Sequence, residues 1–193
     1  MPSRRKAEYA EISPYLLLRE TPALAQNRIP KSLSAYCRAS GMRAWELLEE
    51  AVFFFFRQVL MLETKRMGDQ SLFVQEPEGL VIVSRDPQPF GLLYECKARK
   101  SPYKMSADDA LRYREYFKKQ RHRLRHKDHV ELTHFVIVAP EFRGDLNVKL
   151  DQLHNNGLIV SLISAPLLEK AARLILDLDV PDIHLLDLRR LFP

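Results

Sequence analysis

Cysteine is scarce: Cys37 and Cys96 are the only two in 193 residues. So thin a supply makes neither a disulfide framework nor a clustered zinc site, which points to a reducing compartment, the cytoplasm by default. Long apolar runs are missing too. The best stretch, Ala51–Leu62, is short and interrupted by Arg57 and Gln58, so no bilayer-spanning helix is expected. The basic start, MPSRRKAEYAEISPYLLL, is followed by acidic residues rather than a signal-like apolar core. No internal repeat or low-complexity tract is evident. What is present suits one soluble globular domain: 46% hydrophobic and 28% charged residues. The net charge of +5 is a mild lean towards anionic partners.

That charge is unevenly spread. From Lys97 to Lys127 basic residues crowd together, and only Asp108, Asp109 and Glu115 oppose them. The most informative segment lies just before, in PEGLVIVSRDPQPFGLLYECKARK, Pro77 to Lys100. Two apolar runs, Leu80–Val83 and Gly91–Tyr94, flank a turn built from Asp86, Pro87, Gln88 and Pro89. If they pair about that turn, Glu78 comes level with the Glu95–Lys97 end of the second run. Residues two apart on a strand share a face, so Glu95 and Lys97 point one way and Cys96 the other. Two carboxylates and a lysine at one spot suit a divalent cation beside a phosphodiester.

The remaining pattern gives the fold class. The first forty residues carry Pro14, Pro22 and Pro30 and read as short helices joined by turns. From Arg43 to about Met67 the residues are nearly apolar all round, which predicts a helix buried against a sheet, with Phe53–Phe56 in the core. Three strands are expected next, a short one near Ser71–Val74 and the two hairpin arms. Ser106 with Asp109 is a capping-box pattern opening a helix, and Ala110, Tyr113, Phe117 and Leu124 recur at helical spacing. Leu132–Ala139 reads as a buried strand. A helix from about Asp145 to His154, stopping at Asn155-Asn156-Gly157, leads to a strand over Leu158–Ile163. Ser164 then caps a helix to Asp177, and a last helix is expected from Asp182 to Leu191. The expectation is an α/β domain with a mixed central sheet flanked by helices.

Pro77-Glu78, then Glu95-Cys96-Lys97 seventeen positions on, is similar to the PD-(D/E)XK nuclease signature. Other patches follow in order: Leu47-Leu48-Glu49 through Phe55-Phe56 to Met67-Gly68, Gly91, Ser106-Ala107-Asp108-Asp109 with Arg112-Tyr113, Phe142-Arg143-Gly144-Asp145, and Asn156-Gly157. Together, from about Leu47 to the C terminus, they resemble the cleavage domain of FokI-type type IIS restriction endonucleases. The resemblance implies a restriction-endonuclease-like αβββαβ core over residues 43–193, with residues 1–42 as a helical accessory segment. It implies a Mg²⁺-dependent endonuclease, Mn²⁺ able to substitute, with Glu78 and Glu95 holding the metal and Lys97 acting on the attacking water. The backbone carbonyl of Cys96 is a natural further ligand, and Glu49 matches a family glutamate and is a further candidate. The family usually has Asp where this chain has Glu78; the added methylene moves a carboxylate by roughly 1.5 Å.

The family also dimerises through the helix after the catalytic strand, where Asp108 and Arg112 occupy the matching positions as an i,i+4 pair. Double-stranded DNA is the expected partner. Arg121, Arg123 and Arg125, with Arg99, Lys100 and Lys104, are the candidate phosphate contacts, which position DNA without reading sequence. Tyr103 in the basic loop suits base stacking better than Phe53–Phe56 does, but reads first as a plain loop tyrosine. His122, His126 and His129 read as a solvated face rather than a zinc site. No zinc finger or helix-turn-helix is visible, so a separate recognition subunit or domain is expected. Two other readings stay open: a catalytically decayed DNA-binding or assembly subunit, and a structure-specific repair nuclease.

Overall fold

The computed structural model describes residues 12–67, 76–84, 89–144, 146–154 and 157–177. Its centre is a five-stranded sheet in the order β1 (Glu63–Arg66), β2 (Gly79–Val83), β3 (Phe90–Cys96), β4 (Glu131–Ala139), β5 (Ile159–Ser164). The first three strands run antiparallel to their neighbours, and β3, β4 and β5 run parallel. Every residue of β2 and β3 is buried, as expected of strands covered on both faces. The hairpin therefore forms as the two apolar runs predict, with Gly79 opposite Tyr94 and Val83 opposite Phe90.

Helices cover both faces. On one side α1 (Pro14–Ala25), α3 (Ala44–Phe54) and α6 (Ala165–Asp177) share an apolar layer with Val81, Leu92, Tyr94, Cys96 and Val136. Between α1 and α3, the short α2 (Ser34–Ser40) stops at Gly41, whose φ of 74° a residue with a Cβ rarely adopts. On the other side α4 (Ala107–Lys127) and α5 (Asn147–His154) cover Leu80, Leu93, Phe135 and Ile137. Gly79 has a different reason to lack a side chain: a Cβ there would sit 2.3 Å from the Tyr94 ring.

The helix predicted to run to Met67 ends earlier. After α3 the chain widens into a π-helical turn, Phe55–Val59, and Met61 takes a left-handed φ of 51°. Glu63–Arg66 then forms edge strand β1, of which only Thr64 faces inward. One buried residue in four leaves almost no apolar alternation to read, and the helical pattern upstream runs on past the break. Phe53, Phe55 and Phe56 are core residues as expected. The strand near Ser71–Val74, most of the turn at 86–89, the Asn155-Asn156 stop and the helix over Asp182–Leu191 lie outside the described residues.

Candidate active site

β3 delivers Glu95 and Lys97 to one face and Cys96 to the other. Glu95 and Lys97 lie towards α4, while Cys96 is buried in the layer of α1, α3 and α6. The ladder continues one residue past β3, where the Lys97 amide donates to the Val138 carbonyl at 2.8 Å, which fixes the direction of the Lys97 side chain. Glu95 is 4% exposed. Lys97 Nζ donates to its Oε1 at 2.5 Å, and Arg112 Nη2 lies 3.9 Å from the same oxygen. Its other oxygen, Oε2, is buried with no hydrogen-bond partner. A buried carboxylate oxygen with no donor is costly, so a cation or a water is the group such an atom suits. Burial pushes the Glu95 carboxyl up from its ordinary pKa, opposed by the charges of Lys97 and Arg112.

The first turn of α4 closes the site from above. Ser106 caps the helix as its pattern predicts: its hydroxyl accepts from the Asp109 amide at 3.0 Å, and Asp109 Oδ2 accepts from the Ser106 amide at 3.1 Å. Asp109 Oδ1 accepts from Arg112 Nη2 at 2.7 Å. Burial works against the Asp109 anion, but the Ser106 and Tyr103 hydrogen bonds and the Lys97 charge hold its carboxyl below the ordinary value. Beneath Arg112 the Tyr103 and Tyr113 hydroxyls meet at 2.9 Å, and the Lys97 ammonium and Arg112 guanidinium lie 5.7 and 5.5 Å from the Tyr113 ring centroid. Burial, then the Glu95 charge, pushes the Tyr116 hydroxyl up to about 12.

Asp109, Tyr103 and Tyr113 thus frame Glu95 and Lys97, whereas in the sequence Asp109 reads only as a cap, Tyr113 as a core position of the helix and Tyr103 as a loop residue. Only the i,i+4 spacing of Asp109 and Tyr113 beside the capping box hinted at a shared face. Tyr103 is fully buried, its amide and carbonyl bonded to Glu141 and Arg143, so it stacks on no base. The predicted Asp108–Arg112 ion pair does not form: Asp108 is exposed, while Arg112 turns to Asp109 and Glu95. The cause is geometric. Asp109 lies i−3 from Arg112 on the buried side of α4, where the Glu95 charge adds to its own.

Glu78 lies one step beyond the Gly79–Tyr94 pair, so the register carries it to the level of Glu95, and its carbonyl accepts from the Met67 amide at 3.0 Å. Electrostatics locate the side chains further. Burial pushes the Cys96 thiol far up, Glu78, Glu49 and Glu95 each push it higher, and Lys97 opposes them. Glu78 and Glu49 also raise Tyr94, and Glu95 and Glu78 raise Tyr116. Glu78, Glu49, Glu95 and Lys97 thus all lie within electrostatic reach of Cys96 near the end of β3, while the charges acting most on Glu95 itself are Lys97, Arg112 and Asp109. Among the described residues no three or more His, Cys, Asp or Glu side chains form a cage that could hold a metal ion. A Mg²⁺ site needs no such cage, since this ion keeps several waters and takes one or two carboxylates together with substrate phosphate. The donor set fits it.

The basic residues divide into two groups. Arg99, Lys100 and Lys104 are exposed on the loop leaving β3, with the Arg99 guanidinium 5.5 Å from the Tyr103 ring centroid. Arg121 and Arg125 belong elsewhere: both bind Glu131, at 2.5 and 2.9 Å. They lie nine or more residues down α4 from Arg112, roughly 14 Å or further along its axis. There Leu124 closes over Gly91, at the start of β3. Arg123 is exposed at this same distant end. The candidate phosphate contacts are thus split between two ends of the sheet, and Arg121, Arg123 and Arg125 are no neighbours of Glu95. The His122 and His126 rings lie 4.3 Å apart on the same helix.

The family model described as the FokI cleavage domain matches residues 17–188. The chain belongs to the FokI cleavage-domain family. Two solved structures share its fold. Against the restriction endonuclease FokI the TM-score is 0.64, with 21% identity over 77% of this chain and 27% of that one. Against FokI bound to DNA it is 0.66, with 18% identity over 96% of this chain and 30% of that one. No curated protein matches. The chain spans less than a third of the length of the FokI chains it resembles. In this FokI-family chain the restriction-endonuclease-like core is α3, β1, β2, β3, α4 and β4, the expected αβββαβ order, with β5 and α6 extending it.

Proposed function

We propose that this chain is a metal-dependent DNA endonuclease domain that hydrolyses phosphodiester bonds beside a site read by a partner subunit or a further domain. The observation that carries the reading is the state of Glu95: buried, one oxygen on Lys97, the other with no donor. Glu95 and Glu78 would hold Mg²⁺ or Mn²⁺, with the Cys96 carbonyl as a further ligand and Glu49 supporting the site from α3. The ion, when bound, polarises the scissile phosphate and lowers the pKa of a water. Lys97 orients that water or takes its proton, and its charge offsets the negative charge developing on the phosphoryl oxygens. Arg99, Lys100 and Lys104 hold the backbone of double-stranded DNA next to these groups. Cleavage of both strands takes two such domains, meeting transiently through α4. Asp108, exposed on the outer side of that helix, and Arg112, with about a third of its side chain exposed, are the candidates for such a contact.

Incubation of plasmid with the purified chain should give nicks with Mg²⁺ or Mn²⁺ and none with chelator, and Glu95→Ala should abolish them. Calorimetry then separates this reading from a decayed, purely DNA-binding subunit. Mn²⁺ heat that disappears in Glu95→Ala supports the nuclease, and heat unchanged by that substitution contradicts it. Cutting of branched DNA or RNA in preference to duplex, with no partner, would transfer the assignment to a structure-specific repair nuclease.

A further inference from the structure

We propose that Arg28 and Lys31 extend the DNA-binding surface onto the α1 side of the strand exit and hold backbone phosphates of the duplex there. The proposal deepens the nuclease reading and takes its substrate class from it. The segment that supplies the two cations is uniformly basic. Between Glu20 and Glu46 the chain carries Arg28, Lys31, Arg38 and Arg43 and no acidic residue.

The place of Arg28 follows from how α1 ends. Asn27 takes a left-handed φ of 55°, its amide donates to the Leu24 carbonyl at 2.9 Å, and the Arg28 amide donates to the Ala23 carbonyl at 3.0 Å. This is a Schellman motif, with Asn in the position usually held by Gly. It leaves the Ala25 carbonyl over, and that oxygen accepts from the Arg99 amide at 2.7 Å. The end of α1 is thereby fastened to the chain two residues past Lys97. Arg28 follows Ala25 by three residues, so its Cα lies at most roughly 25 Å from that of Lys97, about seven base pairs of duplex. Ser32 Oγ donates to Glu20 Oε1 at 2.8 Å and ties the next turn, Lys31–Leu33, back to α1. Arg28, Lys31, Lys100 and Lys104 are all exposed, and among the described residues none of them has an ion-pair partner, unlike Arg121 and Arg125. They can meet a phosphate without first breaking a salt bridge. A cation near a helix C-terminus also complements the macrodipole. That accounts for Arg28 alone, since Lys31 lies beyond the last turn.

The test is equilibrium binding of the chain to a labelled duplex of about 20 base pairs, in chelator, from 50 to 200 mM NaCl. The Arg28→Ala/Lys31→Ala double variant is compared with Lys170→Ala/Arg173→Ala. The second pair removes the same charge from α6, where Arg173 lies beside Tyr15 and Arg19 at the far end of α1. Loss of two phosphate contacts should flatten the plot of log affinity against log salt by about 1 to 2 units in the first variant, with binding at least about tenfold weaker at 50 mM. The α6 variant should keep its slope within about 0.3 and its affinity within about threefold. An unchanged slope in the first variant, or an equal loss in the α6 variant, would overturn the proposal. So would a lowered unfolding temperature with an unchanged slope, which would make Arg28 a cation of the helix end only. The assay holds no metal and reads no cleavage. A chain that binds with the predicted slopes but never nicks would therefore sink the nuclease reading and leave this surface standing.

Discussion

α4 carries a charge cluster at each end, and the two share ingredients but not surroundings. At the first turns, Arg112 and Asp109 join Glu95 and Lys97 against Tyr103 and Tyr113, with Glu95 almost wholly buried. At the last turns, Arg121 and Arg125 bind Glu131 from either side, and all three side chains are a third or more exposed. The two carboxylates respond oppositely. Burial raises Glu95 faster than its cations lower it. At Glu131 the small burial penalty is outweighed by hydrogen bonds from Arg121 and Arg125, and the carboxyl falls below its ordinary value. The lesson is that solvent, more than the number of paired charges, decides what a cluster does. The exposed one is a modest clamp between α4 and β4. The buried one leaves an oxygen without a donor, the feature on which the proposed nuclease chemistry rests.

The sharpest way to test the contrast is to remove one cation from each cluster and assay nicking. Lys97→Ala should cost at least about 100-fold in rate, in keeping with loss of a positioned acid–base group, while Arg121→Ala should change the rate at saturating DNA by less than about threefold. Stability is the next contrast. Lys97→Met strips the nearest charge from a buried carboxylate and should destabilise by about 3 kcal/mol in denaturant titrations. Glu131→Gln should cost less than about 1 kcal/mol, and that cost should shrink as salt is added, because exposed pairs are screened.

A smaller effect is the pH dependence of the metal-free protein, and its sign differs between the clusters. Glu131 has a lowered folded pKa, so its contribution is present above the unfolded value of about 4.3 and is lost as pH falls through the folded one. Glu95 has a raised folded pKa, so native stability is greatest below about 4.3 and declines as pH rises through the folded value. Unfolding followed across pH 3 to 7 should therefore lose its acid-side rise in Glu131→Gln and its decline above about 4.3 in Glu95→Gln. Matching slopes in the two variants would erase the distinction between the clusters.

Much of the buried cluster was legible because strand geometry is simple. The alternation along Tyr94-Glu95-Cys96-Lys97 and the two apolar runs of the hairpin set the faces and the register without help from distant residues. The Ser106–Asp109 cap is equally local. What escaped came from elsewhere in the chain. Arg112 reads as half of an i,i+4 pair with Asp108 until β3 brings Glu95 beneath it. Arg121 and Arg125 read as candidate phosphate contacts, and the Glu131 that binds both comes from β4, out of reach of any local pattern. Tyr103 reads as a loop residue because its burial depends on Tyr113 and on the backbone of Glu141 and Arg143. Strand β1 was missed for another reason: as an edge strand with one inward residue it has almost no pattern to read.

The central claim is that Glu95 offers its unpartnered oxygen to a divalent cation on the α4 side of β3. A crystal of the chain soaked in Mn²⁺ and measured at the manganese absorption edge tests it most directly. The account predicts one anomalous peak at about 2.1–2.3 Å from Glu95 Oε2, a manganese–oxygen bond slightly longer than that of Mg²⁺, with Glu78 on its other side. A peak at another place on the molecule, or none when Mn²⁺ is saturating, would contradict it.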